Sequence, residues 1–161
     1  MFNYKGITSS LEFGETTIAN LKRTIDIVYE YFKIIDQFPQ FEIIIHPDYK
    51  PGEKTSPETR KGLILLCTDL CDSEKYDYYQ QITWQFSHEL VHVCKGFNEN
   101  RENWVYLPDE DEEEILAGGI AIKIMKDLHP SYDYTKEYSK SNLAQCEEMA
   151  ESLKDVIHTD R

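Results

Sequence analysis

One stretch constrains this chain more than any other. From Tyr78 to Lys95, apolar residues occupy most of a helix's circumference and polar ones are confined to a single stripe. Ile82, Phe86, Leu90, Val93 and Phe97 recur at helical spacing on one side. Trp84 and Val91 line a flank, and Gln81, Gln85, His88 and His92 make up the stripe. A helix apolar over so much of its surface is buried, so its polar stripe faces a covered site. Gly96 follows and reads as the left-handed stop of this helix.

The stripe carries His88-Glu-Leu-Val-His92. Residues four apart on a helix project about 40° from one another, so both imidazoles can reach one cation. Glu89 stands about 100° round from His88, badly placed as a ligand beside that pair but within reach of a water on the metal. This is the physical content of the HExxH pattern. The bland alternative is a core helix whose two histidines find backbone or carboxylate partners. Buried histidines need partners, and a divalent metal satisfies both at once, with Gln81 and Gln85 nearby to hydrogen-bond the ligands.

A catalytic zinc takes a third protein ligand and keeps one position open. A histidine six residues after His92 would complete the extended three-histidine pattern, but that residue is Asn98. The next helix offers carboxylates instead. Asp109 and Glu112 have capping-box spacing, and the acids from Glu110 to Glu114 suit a helix N-terminus, where most of them read as a solvated, dipole-compatible start. Glu114 differs from its neighbours because it heads a face of small and apolar residues, Ala117, Gly118, Ala121 and Met125, that permits close helix packing. Glu110, one turn earlier on the same side, is the competing ligand.

Around these two helices the pattern is α+β. Glu15 to Asp36 reads as a backing helix, with Pro39 just beyond it. Phe41 to His46 and Gly62 to Thr68 are short apolar runs expected to be strands, whose mutual pairing stays open. Asp48 to Arg60 reads as an exposed loop, and Trp104 to Leu107 as an edge strand. The glutamate-bearing helix is expected to run to about Asp127, and a last amphipathic helix spans Ser141 to Ile157 with Leu143, Cys146, Ala150, Leu153 and Ile157 on one side. The N-terminal segment has no clear assignment.

With 161 residues, the whole chain, 1–161, is expected to form one domain, large enough to bury a core without staples. The net charge of −13 repels a phosphate backbone and argues against direct nucleic-acid binding. No apolar run approaches a membrane span and no signal pattern opens the chain, so a cytoplasmic address without membrane contact is expected. Cys67, Cys71, Cys94 and Cys146 are irregularly spaced and read as reduced thiols; Cys67 and Cys71 lack the further ligands of a metal knuckle.

His88 to His92, followed by Glu114-Ile-Leu-Ala-Gly-Gly-Ile-Ala-Ile-Lys-Ile-Met125, resembles the core of the ImmA/IrrE family of gluzincin-type metallopeptidases. The likeness covers Gln85 to Lys126 and keeps Glu114, Ala117, Ile120, Ala121 and Ile124; Gly118 replaces the usual asparagine, and the Leu-Met-Pro ending is absent. The resemblance implies a minimal, single-domain zincin-like fold: a small, mainly antiparallel or mixed sheet on a backing helix and an HExxH helix, then a glutamate helix and a C-terminal helix. It implies a Zn²⁺ ligated by His88, His92 and Glu114, with Glu89 as general base, acting on a protein or peptide substrate such as a repressor. Substrate is expected to add as a strand, beside Gly62 to Thr68. His129, Tyr132, Tyr134 and Tyr106 are weaker candidates for oxyanion donors, and His46 and His158 read as surface or strand-end residues. A non-catalytic zinc-stabilised interaction module is the rival reading, and a metal-free helical binding domain a third.

Overall fold

The computed structural model describes residues 1–50, 56–68, 78–104, 111–137 and 140–157. Among them it is α+β, with four α-helices and one five-stranded mixed sheet. Cys71, Tyr106, Asp109, Glu110 and His158 lie outside the described residues, as does most of the edge strand expected at Trp104 to Leu107.

The N-terminal segment is a hairpin of β1 (Phe2–Tyr4) and β2 (Ile7–Ser9). Its two-residue loop, Lys5-Gly6, has φ of 46° and 86°, the positive values of the turn that matches strand twist. Helix α1 (Glu15–Tyr31) crosses over to β3 (Phe41–Ile45), which lies parallel to β2. A second tight hairpin joins β4 (Glu58–Arg60) to β5 (Leu63–Leu66), with Gly62 at φ 84° in its turn. The two apolar runs left unpaired by the sequence do pair, β3 and β5 being parallel from Glu42↔Leu63 to Ile45↔Leu66.

The sheet order β1-β2-β3-β5-β4 corrects two expectations. The loop expected through Arg60 contains a strand at its end, and β5 is an interior strand, paired on both sides from Leu63 to Leu65, so it offers no edge there for strand addition. Among the described residues the edge on that side is β4.

Helix α1 also stops earlier than Asp36. Lys33 takes φ 58°, its N–H donates to the Glu30 carbonyl, and the Ile34 N–H reaches back to the Tyr29 carbonyl at 2.9 Å. This Schellman arrangement turns Ile34 into the core and leaves Ile35 72% exposed. Apolar spacing alone counts Ile35 as helical.

Helix α2 (Tyr78–Asn98) is buried as its composition requires: Ile82, Phe86, Leu90, Val91 and Val93 are fully buried, with Trp84 nearly so. On one side it joins Leu21, Ile25 and Val28 of α1 and Ile7, Ile43, Ile64 and Leu66 of the sheet in the main core. On another, Trp84 packs with Ala121, Ile122 and Met125 of α3 (Asp111–Leu128) and with Cys146 and Ala150 of α4 (Lys140–Ser152).

Gly96 is not the stop of α2. The helix runs on to Asn98, and Asn100, at φ 55°, donates to the Phe97 carbonyl while the Arg101 N–H donates to the Gly96 carbonyl at 2.8 Å. That is the same Schellman closure, with Asn in the left-handed position. Gly96 is required for another reason: a Cβ there would meet the Trp104 Cα at 2.5 Å.

Candidate metal centre

Helices α2 and α3 pack against each other, and their polar residues meet where α3 begins. His88 and His92, one turn apart, have ring centroids separated by 5.2 Å. Glu114 reaches between them. Its Oε1 lies 2.8 Å from His88 Nε2 and its Oε2 lies 3.1 Å from His92 Nε2. One ligand atom from each of the three residues falls within a common 4.8 Å, so the group could hold a metal ion. Donors about 2.0–2.1 Å from a tetrahedral zinc stand roughly 3.3 Å apart, close to these spacings.

A fourth residue, Glu113, lies behind His92. Its Oε2 is 2.7 Å from His92 Nδ1, and its Oε1 is 2.8 Å from the Arg101 guanidinium. Glu113 is 3% exposed although it sits in the acidic run read as a solvated helix start. Spacing carries the signal for it: Glu113, Ala117, Ile120 and Ile124 share one helical face, and all four are buried. Gln81 and Gln85, expected beside the ligands, are engaged elsewhere. Gln85 Oε1 accepts the Cys67 N–H, and Gln81 Oε1 accepts the Thr68 hydroxyl, tying α2 to the end of β5. The hydrogen-bonding role beside the ligands falls to Glu113.

Charge on this cluster follows from its contacts. Burial would push the His92 imidazole down, but hydrogen bonds to Glu113 and Glu114 outweigh it and hold His92 up at about 9. Burial likewise opposes ionisation of Glu113 and Glu114, yet both are held below the ordinary carboxylate range, by His92 and Arg101 in one case and by the two histidines in the other.

Glu89, 6% exposed, lies against the sheet edge: the Thr59 hydroxyl of β4 is 2.6 Å from its Oε2 and 3.1 Å from its backbone carbonyl. Of the expected oxyanion candidates, Tyr106 lies outside the described residues. His129 is fifteen residues beyond Glu114, roughly 22 Å along α3 at the helical rise. Tyr132 packs in the cluster with Trp84 and Cys146, and the Tyr134 hydroxyl donates to Glu147 Oε2 at 2.9 Å. His46 is a buried strand-end residue whose Nδ1 accepts the Asp48 N–H. Cys67 and Cys94 are free and buried, and Cys146 is buried.

Comparison with protein-family models, with curated proteins and with solved structures gives no match to this chain.

Proposed function

We propose that the protein is a zinc-dependent metallopeptidase of zincin-like architecture, with His88, His92 and Glu114 as ligands and Glu89 as general base. The observation that carries this reading is convergence: two imidazole nitrogens from α2 and a carboxylate from α3 come within 4.8 Å of one another, and a buried glutamate directly follows the first of them in the chain. The donor set fits zinc, and it leaves a position open for a water or a carbonyl. Zinc held there supplies Lewis acidity, lowering the pKa of a water and polarising a carbonyl.

The chain's own residues do the rest. Thr59 donates to Glu89 Oε2 and fixes that carboxylate, leaving its other oxygen to take a proton from the attacking water and deliver it to the leaving amine. Glu113 accepts from His92 Nδ1 and so turns Nε2 toward Glu114. A substrate strand fits along β4, the sheet edge that carries Thr59, by main-chain pairing. By family resemblance that substrate is a protein such as a repressor.

Metal content and cleavage of a peptide library test the reading together. Wild-type protein takes up about one zinc, and His88→Ala and Glu114→Ala lose it. Glu89→Gln keeps the metal and loses about 10²–10⁴-fold in cleavage rate. Full zinc in both ligand variants would remove the site. Zinc binding without any cleavage dependent on Glu89 would leave the zinc-stabilised interaction module, and no zinc uptake at all would leave a buried ion-pair cluster.

A further inference from the structure

Arg101 is placed by backbone geometry. As the residue after the left-handed Asn100, it donates its N–H to the Gly96 carbonyl and closes the Schellman turn of α2. That turn folds its side chain back toward the start of α3, where the guanidinium Nη2 lies 2.8 Å from Glu113 Oε1. The other oxygen of the same carboxylate is 2.7 Å from His92 Nδ1. The guanidinium also meets Glu99 Oε2 at 2.7 Å, on the solvent side of the turn, where Glu99 is half exposed. Arg101, Glu113 and His92 thus form one unbroken chain of charged contacts that ends at the ligand nitrogen facing Glu114.

We infer that Arg101 is a positioning residue of the metal centre, setting its metal affinity through Glu113; this rests on the zinc reading above. Glu113 is almost fully buried, and a buried carboxylate needs an opposite charge. Arg101 supplies that charge at 2.8 Å. The contact is one guanidinium nitrogen on one carboxylate oxygen, and a guanidinium, always protonated and weakly hydrated, holds its charge there more firmly than a strongly hydrated lysine ammonium would. Without Arg101 the carboxylate would swing toward water, and His92 would lose the partner that orients its ring.

The test is zinc affinity measured by competition against a chromophoric chelator, with folding checked by circular dichroism. Glu113→Gln should weaken zinc binding by about 10–100-fold, the usual effect of losing such a partner. Arg101→Gln should weaken it by a similar factor, and Arg101→Lys by less. In the Glu113→Gln background, Arg101→Gln should have no further effect, because its route to the metal is already cut. Should Arg101→Gln alone fail to fold, Arg101→Lys is compared in both backgrounds, with a loss expected only where Glu113 is intact. Equal zinc affinity for wild type and the Arg101 variants, or the same loss with and without Glu113, overturns the inference. Wild-type protein that binds no zinc overturns the reading beneath it instead.

Discussion

At the scale of single residues, His92 is where burial and charge compete most strongly. Its folded value of about 9 lies above the roughly 6.5 of an unfolded histidine, so in metal-stripped protein its protonated form is favoured by folding. The sign follows: the stabilisation is fully present below about pH 6.5 and is lost as pH rises through about 9. Melting temperature of the stripped protein should therefore fall across that window, and His92→Gln should flatten the fall. A flat profile in the stripped wild type would reject the hydrogen bonds assigned to Glu113 and Glu114. Zinc competes with the same proton, so its apparent affinity rises with pH over this range. Glu114 was legible in the sequence because it heads a face of small residues. Glu113 was hidden because its neighbours in the acidic run mask the apolar face it belongs to, and composition alone assigns the whole run to solvent.

At the scale of elements, the two helix ends teach the same lesson. Both α1 and α2 close by Schellman turns, at Lys33 and Asn100, where neither residue is the glycine that signals such a stop. Apolar spacing therefore extends α1 too far, and Gly96 marks the end of α2 too early. Gly96 looked like a stop yet serves close packing, since Trp104 crosses it and itself packs edge-on against Phe41 with centroids 6.3 Å apart. Helix propensity favours alanine over glycine by about 1 kcal/mol. A new Cβ against the Trp104 backbone demands a shift of a buried residue, and overpacking of that kind costs about 1–3 kcal/mol. Gly96→Ala should thus lower stability in urea unfolding despite its better propensity, while Asn100→Gly, which suits the left-handed turn, should be neutral or stabilising. An alanine at 96 that stabilises the protein would show that the helix end yields without cost.

At the scale of the whole molecule, what could be read from the sequence was local and what could not was long-range. The HELVH helix, its burial and the glutamate helix follow from periodicity within about twenty residues. The order β1-β2-β3-β5-β4 does not, because parallel pairing depends on contacts distant in the chain and a three-residue edge such as β4 has no periodicity to read. Assembly of the candidate centre is itself long-range: α2 brings two ligands, α3 the third, and β4 the hydroxyl on Glu89. A metal held there would fasten α2 to α3 across a connection of a dozen residues between their ends. Ligand binding to the folded state alone adds about 4.1 kcal/mol at a free zinc concentration one thousand times Kd. For a chain of 161 residues, at about 2–4 °C per kcal/mol, that amounts to a rise of roughly 8–16 °C in melting temperature. Chelation should reverse the rise. In Glu114→Ala most of it should vanish, since two histidines on one helix bind zinc without tying α2 to α3. Hydrogen exchange would locate the effect, with amides of the first turns of α3 slowing on zinc addition in wild type and not in the variant. Equal melting temperatures with and without zinc in the wild type would mean that the two helices are held by packing alone.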